Sequence, residues 1–265
     1  MPFSTRSSVL SLVFCTVASV CVRAAAAETI GPQSPRDLGS TAGSNAVSIR
    51  PAPEYQRMSL CNIHFHESAE HRGGEFTLAA PGGDSAGQAG GFIFAGRLDP
   101  AESRPIPRGV CPGDHGDLQV GDTIELHYVF STDTVQPGPS LAACADAVEP
   151  APALRVEAQV LVLVNDRNAA DFRVITAVGN RAGRAVVTGM PASTGTPVEY
   201  AGSTTGPEYN DSPSPIAATW AVRPRVLKVD IRSVGAWCES NVFEESHAHG
   251  VRKLVVDEGL LSTID

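Results

Sequence analysis

Residues 61–71 read Cys-Asn-Ile-His-Phe-His-Glu-Ser-Ala-Glu-His, and this stretch decides how the rest of the chain is interpreted. It holds three of the seven histidines of the protein, together with two glutamates. Residues two apart in a β-strand point to the same face, about 6–7 Å apart along it. In a strand, His64 and His66 would therefore stand side by side, while Ile63 and Phe65 would face the core.

A second segment, residues 122–130, follows the same period of two. Its sequence is Asp-Thr-Ile-Glu-Leu-His-Tyr-Val-Phe, in which Glu125 and His127 share one face. If the two strands are neighbours, His127 joins His64 and His66, and the three imidazoles leave a fourth ligand position open, as in a catalytic zinc site. Spacing alone is equally compatible with solvated or hydrogen-bonded histidines, and both interpretations stay open at this point.

The first residues of the 265-residue chain predict an export signal. Arg6 precedes an apolar run at residues 9–22, and alanines follow at residues 24–27, which is the order of regions in a secretory signal. The run is shorter than the ~20 residues that span a bilayer. We therefore expect a cleaved signal over residues 1–27 and a secreted or periplasmic product without a membrane span.

The net charge of the chain limits the kinds of molecule that it is expected to bind. Loss of residues 1–27 removes two arginines and no acids, so the formal charge of −9 becomes about −11. An acidic protein without a basic stripe is a poor binder of nucleic acids, and no such partner is expected. Imidazole ligands in an exported protein favour zinc over magnesium or calcium.

The four cysteines after residue 27 predict two disulfides, because an even number in an oxidising compartment is typical of a disulfide framework. No Cys-x-x-Cys pair is present, which argues against zinc bound by thiolates. Cys61 lies beside the first histidine strand and Cys238 follows a late strand, and we predict that these two pair. Cys111 and Cys144 flank the strand of His127 and would form the second bridge.

The remaining sequence predicts one β-rich domain. Residues 28–53 are rich in Pro, Gly and Ser and are expected to form an extended N-terminal arm or a mobile leader, followed by the catalytic domain over residues 54–265. Residues 73–96 are glycine-rich and predict a long loop, and only residues 251–261 suggest a helix. The predicted strands cover residues 122–130, 154–165, 172–178, 196–201, 217–222 and 226–234.

A cupin-type metalloenzyme is one alternative. Cupins hold a metal with His-x-His, a glutamate a few residues later and one more histidine on a following strand, and residues 64–70 fit the first part of this pattern. Residues 120–130 fit the second part poorly, because they lack a Pro-x-Gly turn just before His127.

Several motifs, taken in their order along the chain, resemble the α-class carbonic anhydrases. Ile-His-Phe-His at residues 63–66, Glu-His at residues 70–71 and Glu-Leu-His at residues 125–127 are similar to the zinc-binding pattern of that class. Val-Glu-Tyr-Ala-Gly-Ser-Thr-Thr-Gly-Pro, which starts residues 198–210, resembles its stretch of Gly-Ser, two threonines and proline. Residues 217–222 resemble the tryptophan-bearing strand of the active-site wall.

Other segments look closer to the δ-class carbonic anhydrases and their bacterial relatives. These are residues 61–71 with the glycine-rich insertion that follows, residues 154–166 and residues 238–254. The resemblance spans about residues 55–254. It implies a mainly β (α+β) fold of one domain with a central, largely antiparallel sheet, like that of the α-class.

The resemblance also implies an activity, the reversible hydration of carbon dioxide to bicarbonate by a zinc-bound hydroxide. Zinc would be held by His64, His66 and His127. Thr204 would be the gatekeeper hydroxyl beside the hydroxide, with Glu70 behind it.

The same resemblance assigns further residues of the site. Glu125 would orient a ligating imidazole through its other nitrogen. Val129, Trp220 and Thr205 would help to form the pocket for carbon dioxide. Gly206 stands where the α-class has proline, and the spacing from the first histidines to His127 is longer, which makes the loop geometry different from that class.

The remaining histidines, and one further class of function, complete the sequence-based picture. No motif assigns a role to His71, His115, His247 and His249, which we treat as solvated or structural. A catalytically silent, carbonic-anhydrase-like binding module is a third hypothesis. Such a module would be expected to lose its zinc histidines, and all three are present here.

Overall fold

A computed structural model describes residue 1 and residues 30–81, 90–113, 116–145, 151–204 and 213–264. The predicted signal segment, Thr205, Gly206 and His115 lie outside these ranges. Within them, no helix has the length and apolar character needed to cross a bilayer.

The regular elements of the described chain are mostly strands. In chain order the strands are β1 (Ser59–Glu67), β2 (Phe76–Ala79), β3 (Phe92–Phe94), β4 (Val110–Gly113), β5 (Gly116–Leu118), β6 (Thr123–Ser131), β7 (Leu154–Val164), β8 (Val178–Arg181), β9 (Arg184–Val187), β10 (Val198–Thr204) and β11 (Ile216–Asp230). The helices are α1 (Phe172–Ile175) and α2 (Ile231–Glu239), and single 3₁₀ turns lie at Tyr55–Arg57, Leu141–Cys144 and Glu258–Leu260.

Five of these strands form a central sheet in the order β1-β6-β7-β11-β10. The β1–β6, β6–β7 and β10–β11 pairs are antiparallel, and the β7–β11 pair is parallel. The predicted mainly β fold with a largely antiparallel sheet is confirmed, and the one parallel pair makes the sheet mixed.

The two faces of the sheet carry different layers of the core. β6 and β7 are buried along their whole length because apolar clusters cover both faces. Phe65 and Leu126 belong to the cluster that α2 covers with Trp237. Val129 and Trp220 belong to the cluster on the other face, where the polar side chains of β1 and β6 also lie. In both histidine segments, apolar and polar side chains therefore alternate between the two faces with the period of two predicted from the sequence.

Two of the segments predicted as strands contain a helix instead, and each helix starts at an aspartate that caps its N-terminus. Residues 172–175 form α1, because the side chain of Asp171 accepts a hydrogen bond from the backbone N–H of Arg173. Asp230 does the same at the start of α2, so the predicted strand 226–234 ends at residue 230. Such caps satisfy N–H groups that the first helical turn leaves free.

The predicted helix and the predicted long loop also differ from the structure. Residues 251–261 contain only the 3₁₀ turn at Glu258–Leu260, whose first N–H groups are capped by Asp257. The glycine-rich residues 73–96 carry the antiparallel pair of β2 and β3.

The disulfides connect Cys61 to Cys144 and Cys111 to Cys238, with Cα–Cα distances of 4.9 and 5.6 Å. The predicted pairs, Cys61–Cys238 and Cys111–Cys144, are therefore wrong, although the number of bridges is right. Pairing depends on which elements meet in space. The turn at Leu141–Cys144 packs on β1, and α2 packs on β4.

Residues 30–53 lie in extended form along the C-terminal segment. The N–H of Arg36 donates to the carbonyl of Val255 at 2.8 Å, and the N–H of Val255 donates to the carbonyl of Ser34 at 3.0 Å. The Ser34 hydroxyl also donates to the carbonyl of Ser203 at 2.9 Å and accepts from its N–H at 3.1 Å. The arm therefore braces the end of β10, one residue before Thr204.

Candidate metal centre

The three predicted ligands converge because of the register between β1 and β6. His64 lies directly opposite His127, and His66 lies opposite Glu125. One ring nitrogen from each of the three histidines lies within 4.8 Å of the others. The prediction that the two strands are neighbours is confirmed, and the period of two places all three imidazoles on one face.

His64 presents its Nε2 atom to this cluster. Its Nδ1 lies 2.6 Å from Oδ1 of Asn62, which is the residue two positions earlier on the same face. The oxygen and nitrogen of the Asn62 amide cannot exchange places, because its Nδ2 donates to the carbonyl of Gly138 at 3.1 Å. Nδ1 of His64 therefore carries the proton, and Nε2 keeps a free lone pair.

His66 is arranged in the same way by the backbone. Its Nδ1 donates to the carbonyl of Gly250 at 2.8 Å, which leaves Nε2 as the free nitrogen. Burial lowers the pKa of His66 to about 4 and lowers the pKa of His64 well below its ordinary value. Both rings are therefore neutral near pH 7, as ligation requires.

His127 presents the opposite nitrogen, Nδ1. Its Nε2 donates to Oε1 of Glu125 at 3.0 Å. The same carboxylate accepts hydrogen bonds from the N–H of Glu70 at 2.7 Å and from Nδ1 of His71 at 2.7 Å. Burial alone would raise the pKa of Glu125, but His71 and His127 together hold it well below its ordinary value.

A buried chain of hydrogen bonds continues behind Glu125. Since Nδ1 of His71 donates to Glu125, its Nε2 accepts from the hydroxyl of Tyr200, at 2.6 Å. His71 is completely buried, and burial raises the pKa of Tyr200 well above its ordinary value, so the hydroxyl stays protonated. His71 is therefore structural, and it fixes the acid that orients His127.

These contacts test whether the residues fit a metal ion. In the neutral tautomers that these hydrogen bonds favour, Nδ1 of His127 and Nε2 of His64 both present lone pairs, and they face each other at 3.2 Å. Two lone pairs at that distance repel unless a cation lies beside them. The donor set, with each outer nitrogen fixed by an acceptor, fits a divalent ion bound through three imidazoles.

Glu70 lies beside this cluster but is engaged by another residue. Its two carboxylate oxygens accept four hydrogen bonds of 2.9–3.0 Å from Arg252. Its Oε1 lies 3.5 Å from Nδ1 of His66, and its Oε2 lies 3.9 Å from Nε2 of His127. Burial opposes ionisation, but the positive charge of Arg252 outweighs it and lowers the pKa of Glu70 to about 2.

A cavity of about 300 Å³ opens onto the three histidines. Its wall includes Thr204, Trp220, Leu141, Phe243, His247 and Arg252. Val129 is completely buried and is not among the described residues that line the cavity, although it packs in the same apolar cluster as Trp220. The predicted pocket residue Thr205 lies outside the described residues.

Several residues of the site carry no role in the sequence-based predictions. Asn62 lies two residues before His64, so the period of two was a signal that could have found it. Tyr200 and Arg252 have no such local pattern, because they reach the site from distant segments. His249 is partly exposed at the cavity, where a hydrogen bond with Glu245 at 2.7 Å raises its pKa.

The segment that contains the two histidine strands matches a known protein family. Residues 55–233 match the sequence profile of a family described as delta carbonic anhydrase. Among solved structures, the chain is similar to a hyperthermostable carbonic anhydrase identified from an active hydrothermal vent chimney, with 13% identity over 89% of this chain and 88% of that chain and a TM-score of 0.28. No curated protein matches the chain.

The profile covers more than half of the chain, and its range contains the two histidine strands, Glu70, Thr204 and Trp220. The protein therefore belongs to the delta carbonic anhydrase family and is a carbonic anhydrase.

Proposed function

We propose that this carbonic anhydrase uses zinc, held by His64, His66 and His127, to hydrate carbon dioxide reversibly to bicarbonate and a proton. The observation that carries the proposal is the set of free nitrogens, Nε2, Nε2 and Nδ1. Each is selected by an acceptor on the other side of its ring. Family membership supports the substrate, and the all-nitrogen donor set supports zinc.

When bound, zinc would supply the nucleophile, because such an ion lowers the pKa of a bound water from 15.7 to about 7, as in carbonic anhydrases in general. The chain contributes three neutral ligands, and neutral ligands leave the cationic charge undiluted. Glu125, fixed by His71 and His127, keeps the His127 ring in the tautomer that ligation needs.

Thr204 and Glu70 would orient the attacking oxygen. Thr204 is buried at the end of β10 and lines the cavity. Glu70 is ionised, and an ionised carboxylate only accepts hydrogen bonds. A threonine hydroxyl that donates to Glu70 must accept from the nucleophile, and this would point the nucleophile's lone pair at carbon.

The apolar part of the cavity would receive the substrate. Trp220, Leu141 and Phe243 offer apolar surface on the wall, which suits carbon dioxide, a molecule without charge or strong hydrogen-bonding groups. Val129 would support Trp220 from within the apolar cluster rather than touch the substrate. Thr205 follows Thr204 in sequence and is retained as part of the proposed pocket.

We also propose that the protein acts outside the cytoplasm. Its two disulfides are typical of an oxidising compartment. The export signal over residues 1–27 and the domain bounds that follow it remain predictions from the sequence.

The experiment compares Thr204→Ala, Glu70→Gln and the double variant, with zinc content and stopped-flow carbon dioxide hydration as readouts. Each single variant should keep about one zinc per chain, since neither residue is a proposed ligand. Each should lower kcat/KM by about 10²-fold, the effect of one well-placed hydrogen bond. The double variant should be little worse than either single, because the two residues act as one unit.

Thr188→Ala is the matched control, since Thr188 is exposed and its hydroxyl donates only to the carbonyl of Ala177. Metal loss in Glu70→Gln together with normal hydration in Thr204→Ala would contradict the proposal and favour a cupin-like site, in which the glutamate is a ligand. Bound zinc without any hydration by the wild-type protein would favour a silent binding module.

A further inference from the structure

We propose that Arg252 is a positioning residue that holds Glu70 and the end of β10 at a fixed separation, so that Glu70 serves Thr204 and does not disturb the two neighbouring imidazoles. The inference rests on the proposed function of Thr204 and Glu70. It concerns a residue far from both in sequence, in the segment that follows His249.

The first contact of Arg252 is with both oxygens of Glu70. The backbone N–H and Nε donate to Oε1 at 3.0 Å each, while Nε and Nη2 donate to Oε2 at 3.0 and 2.9 Å. The two side chains are 7% and 0% exposed, so the pair is shielded from water. A planar guanidinium in this arrangement fixes the direction of a carboxylate as well as its charge.

The second contact ties the same guanidinium to β10. Nη1 of Arg252 donates to the carbonyl of Ser203 at 3.1 Å, one residue before Thr204. That carbonyl also accepts from Nε1 of Trp220 at 3.1 Å and from the hydroxyl of Ser34 at 2.9 Å. Arg252 further lies over the Trp220 ring, 5.2 Å from its centroid. One cation therefore connects Glu70, the peptide before Thr204 and the tryptophan of the cavity wall.

The position of Glu70 explains why such a restraint is needed. Glu70, Glu125 and His127 themselves form a group of buried atoms close enough to hold a cation. Glu125 is occupied by N–H donors from the backbone and from two histidines. If Arg252 did not occupy both its oxygens, Glu70 would be free to turn toward the outer nitrogens of two neighbouring rings, Nδ1 of His66 at 3.5 Å and Nε2 of His127 at 3.9 Å. Arg252 thus keeps this carboxylate from competing with the acceptors that fix the tautomers of the two rings.

Arg252→Lys tests this role, because lysine keeps the charge and loses the planar fork. We expect zinc content to stay near one per chain and kcat/KM to fall by up to about 10²-fold, as for a small misplacement of a reacting group. In a Glu70→Gln background, Arg252→Lys should add little to the loss already caused by Glu70→Gln. This non-additivity is expected if Arg252 acts through Glu70.

Arg155→Lys is the matched control. Arg155 is also a buried arginine, paired with Glu157 at 2.6 Å and with Glu199, but it does not line the cavity. Its variant should lower the melting temperature to a comparable degree and leave kcat/KM unchanged. Equal effects of the two variants on kcat/KM, or a fully additive effect with Glu70→Gln, would overturn the proposal. Loss of zinc in Arg252→Lys would also overturn it.

A readout without substrate separates this inference from the proposed function. The probe is Co²⁺ added to the metal-free protein, because the visible absorption spectrum of Co²⁺ reports the groups around the ion. The spectrum should change in Arg252→Lys, where Glu70 is no longer fixed, and should stay like wild type in Arg155→Lys. An unchanged spectrum in Arg252→Lys would contradict the inference. If the wild-type protein fails to hydrate carbon dioxide while the spectrum still changes, only the proposed function fails.

Discussion

The two sides of the cavity are built in different ways. The side that carries the three histidines is regular sheet, in which β1 pairs with β6 from Ser59 to Glu67. The register of this pairing shifts once, beside Cys61. The other side is formed by residues 139–141 and 243–247, which lie outside the central sheet. Ser140 and Glu244 on that side have φ angles of 58° each, a conformation unfavourable for residues other than glycine.

Disulfides restrain the side of the cavity that lacks the backbone pairing of the sheet. The Cys61–Cys144 bridge attaches the segment after residue 139 to β1, and the Cys111–Cys238 bridge attaches α2, which leads into residues 243–249, to β4. Backbone pairing therefore fixes the proposed metal ligands, whereas disulfides hold the elements that border the other side of the cavity. Substitutions on the histidine side should change the metal content, and substitutions on the other side should change the stability and the shape of the cavity.

The largest effect is expected for His127→Ala. It removes one of the three proposed ligands, so zinc content should fall from about one per chain to near zero and hydration should be lost. His247→Ala is the matched control on the opposite side, where the imidazole lines the cavity and is exposed. It should keep its zinc. Metal analysis of both purified variants checks the prediction, and full metal in His127→Ala would refute the assigned ligand set.

An intermediate effect is expected when the Cys61–Cys144 bridge is removed by alanine at both positions. The free energy of unfolding should fall by about 2–5 kcal/mol, while zinc content stays near one per chain. Limited proteolysis should now cut near residues 139–141. Urea unfolding and mapping of the cleavage sites provide the measurements. Removal of Cys111–Cys238 should move the new cleavage to residues 239–249, and identical cleavage patterns for the two variants would show that the bridges do not act on separate segments.

The smallest effect concerns pH and the metal-free protein. The pKa of His66 is lowered from its ordinary 6.5 to about 4 by burial. Between these values the unfolded state binds more protons than the folded state, so stability should fall as the pH is lowered from about 6.5 toward 4. Urea midpoints of chelator-treated protein at several pH values test this. His66→Gln should show a weaker dependence than wild type, and a dependence of the same size would contradict the prediction.

The sequence-based predictions succeeded where side chains follow a regular period. His64, His66, Glu125 and His127 could be assigned to one face, because strand geometry converts spacing along the chain into direction. The predictions failed where distant segments meet. The pairing of Cys61 with Cys144 depends on how a helical turn folds back onto β1, and spacing does not encode that.

Arg252 and Tyr200 illustrate the same limit. Each reaches the site by contacting a residue more than a hundred positions away, Glu70 for Arg252 and His71 for Tyr200. The sequence around these residues contains no pattern from which either contact could be predicted. The helices α1 and α2 were missed for a different reason, since the apolar residues of short segments fit both periods and the capping aspartates decided the outcome.

The arrangement of β1 beside β6 has a consequence for the order in which the molecule forms. All three proposed ligands have been synthesised once the chain has emerged to residue 127, and His64 and His127 are separated by 63 positions. The contact between Arg252 and Glu70 spans 182 positions and must wait for nearly the whole chain. Distant contacts cost more chain entropy and form more slowly. During folding from the N-terminus, the three imidazoles can therefore meet before the acceptor of His66 and the Arg252–Glu70 pair are in place, and we expect intermediates at that stage to bind metal more weakly than the folded protein and not to catalyse the reaction.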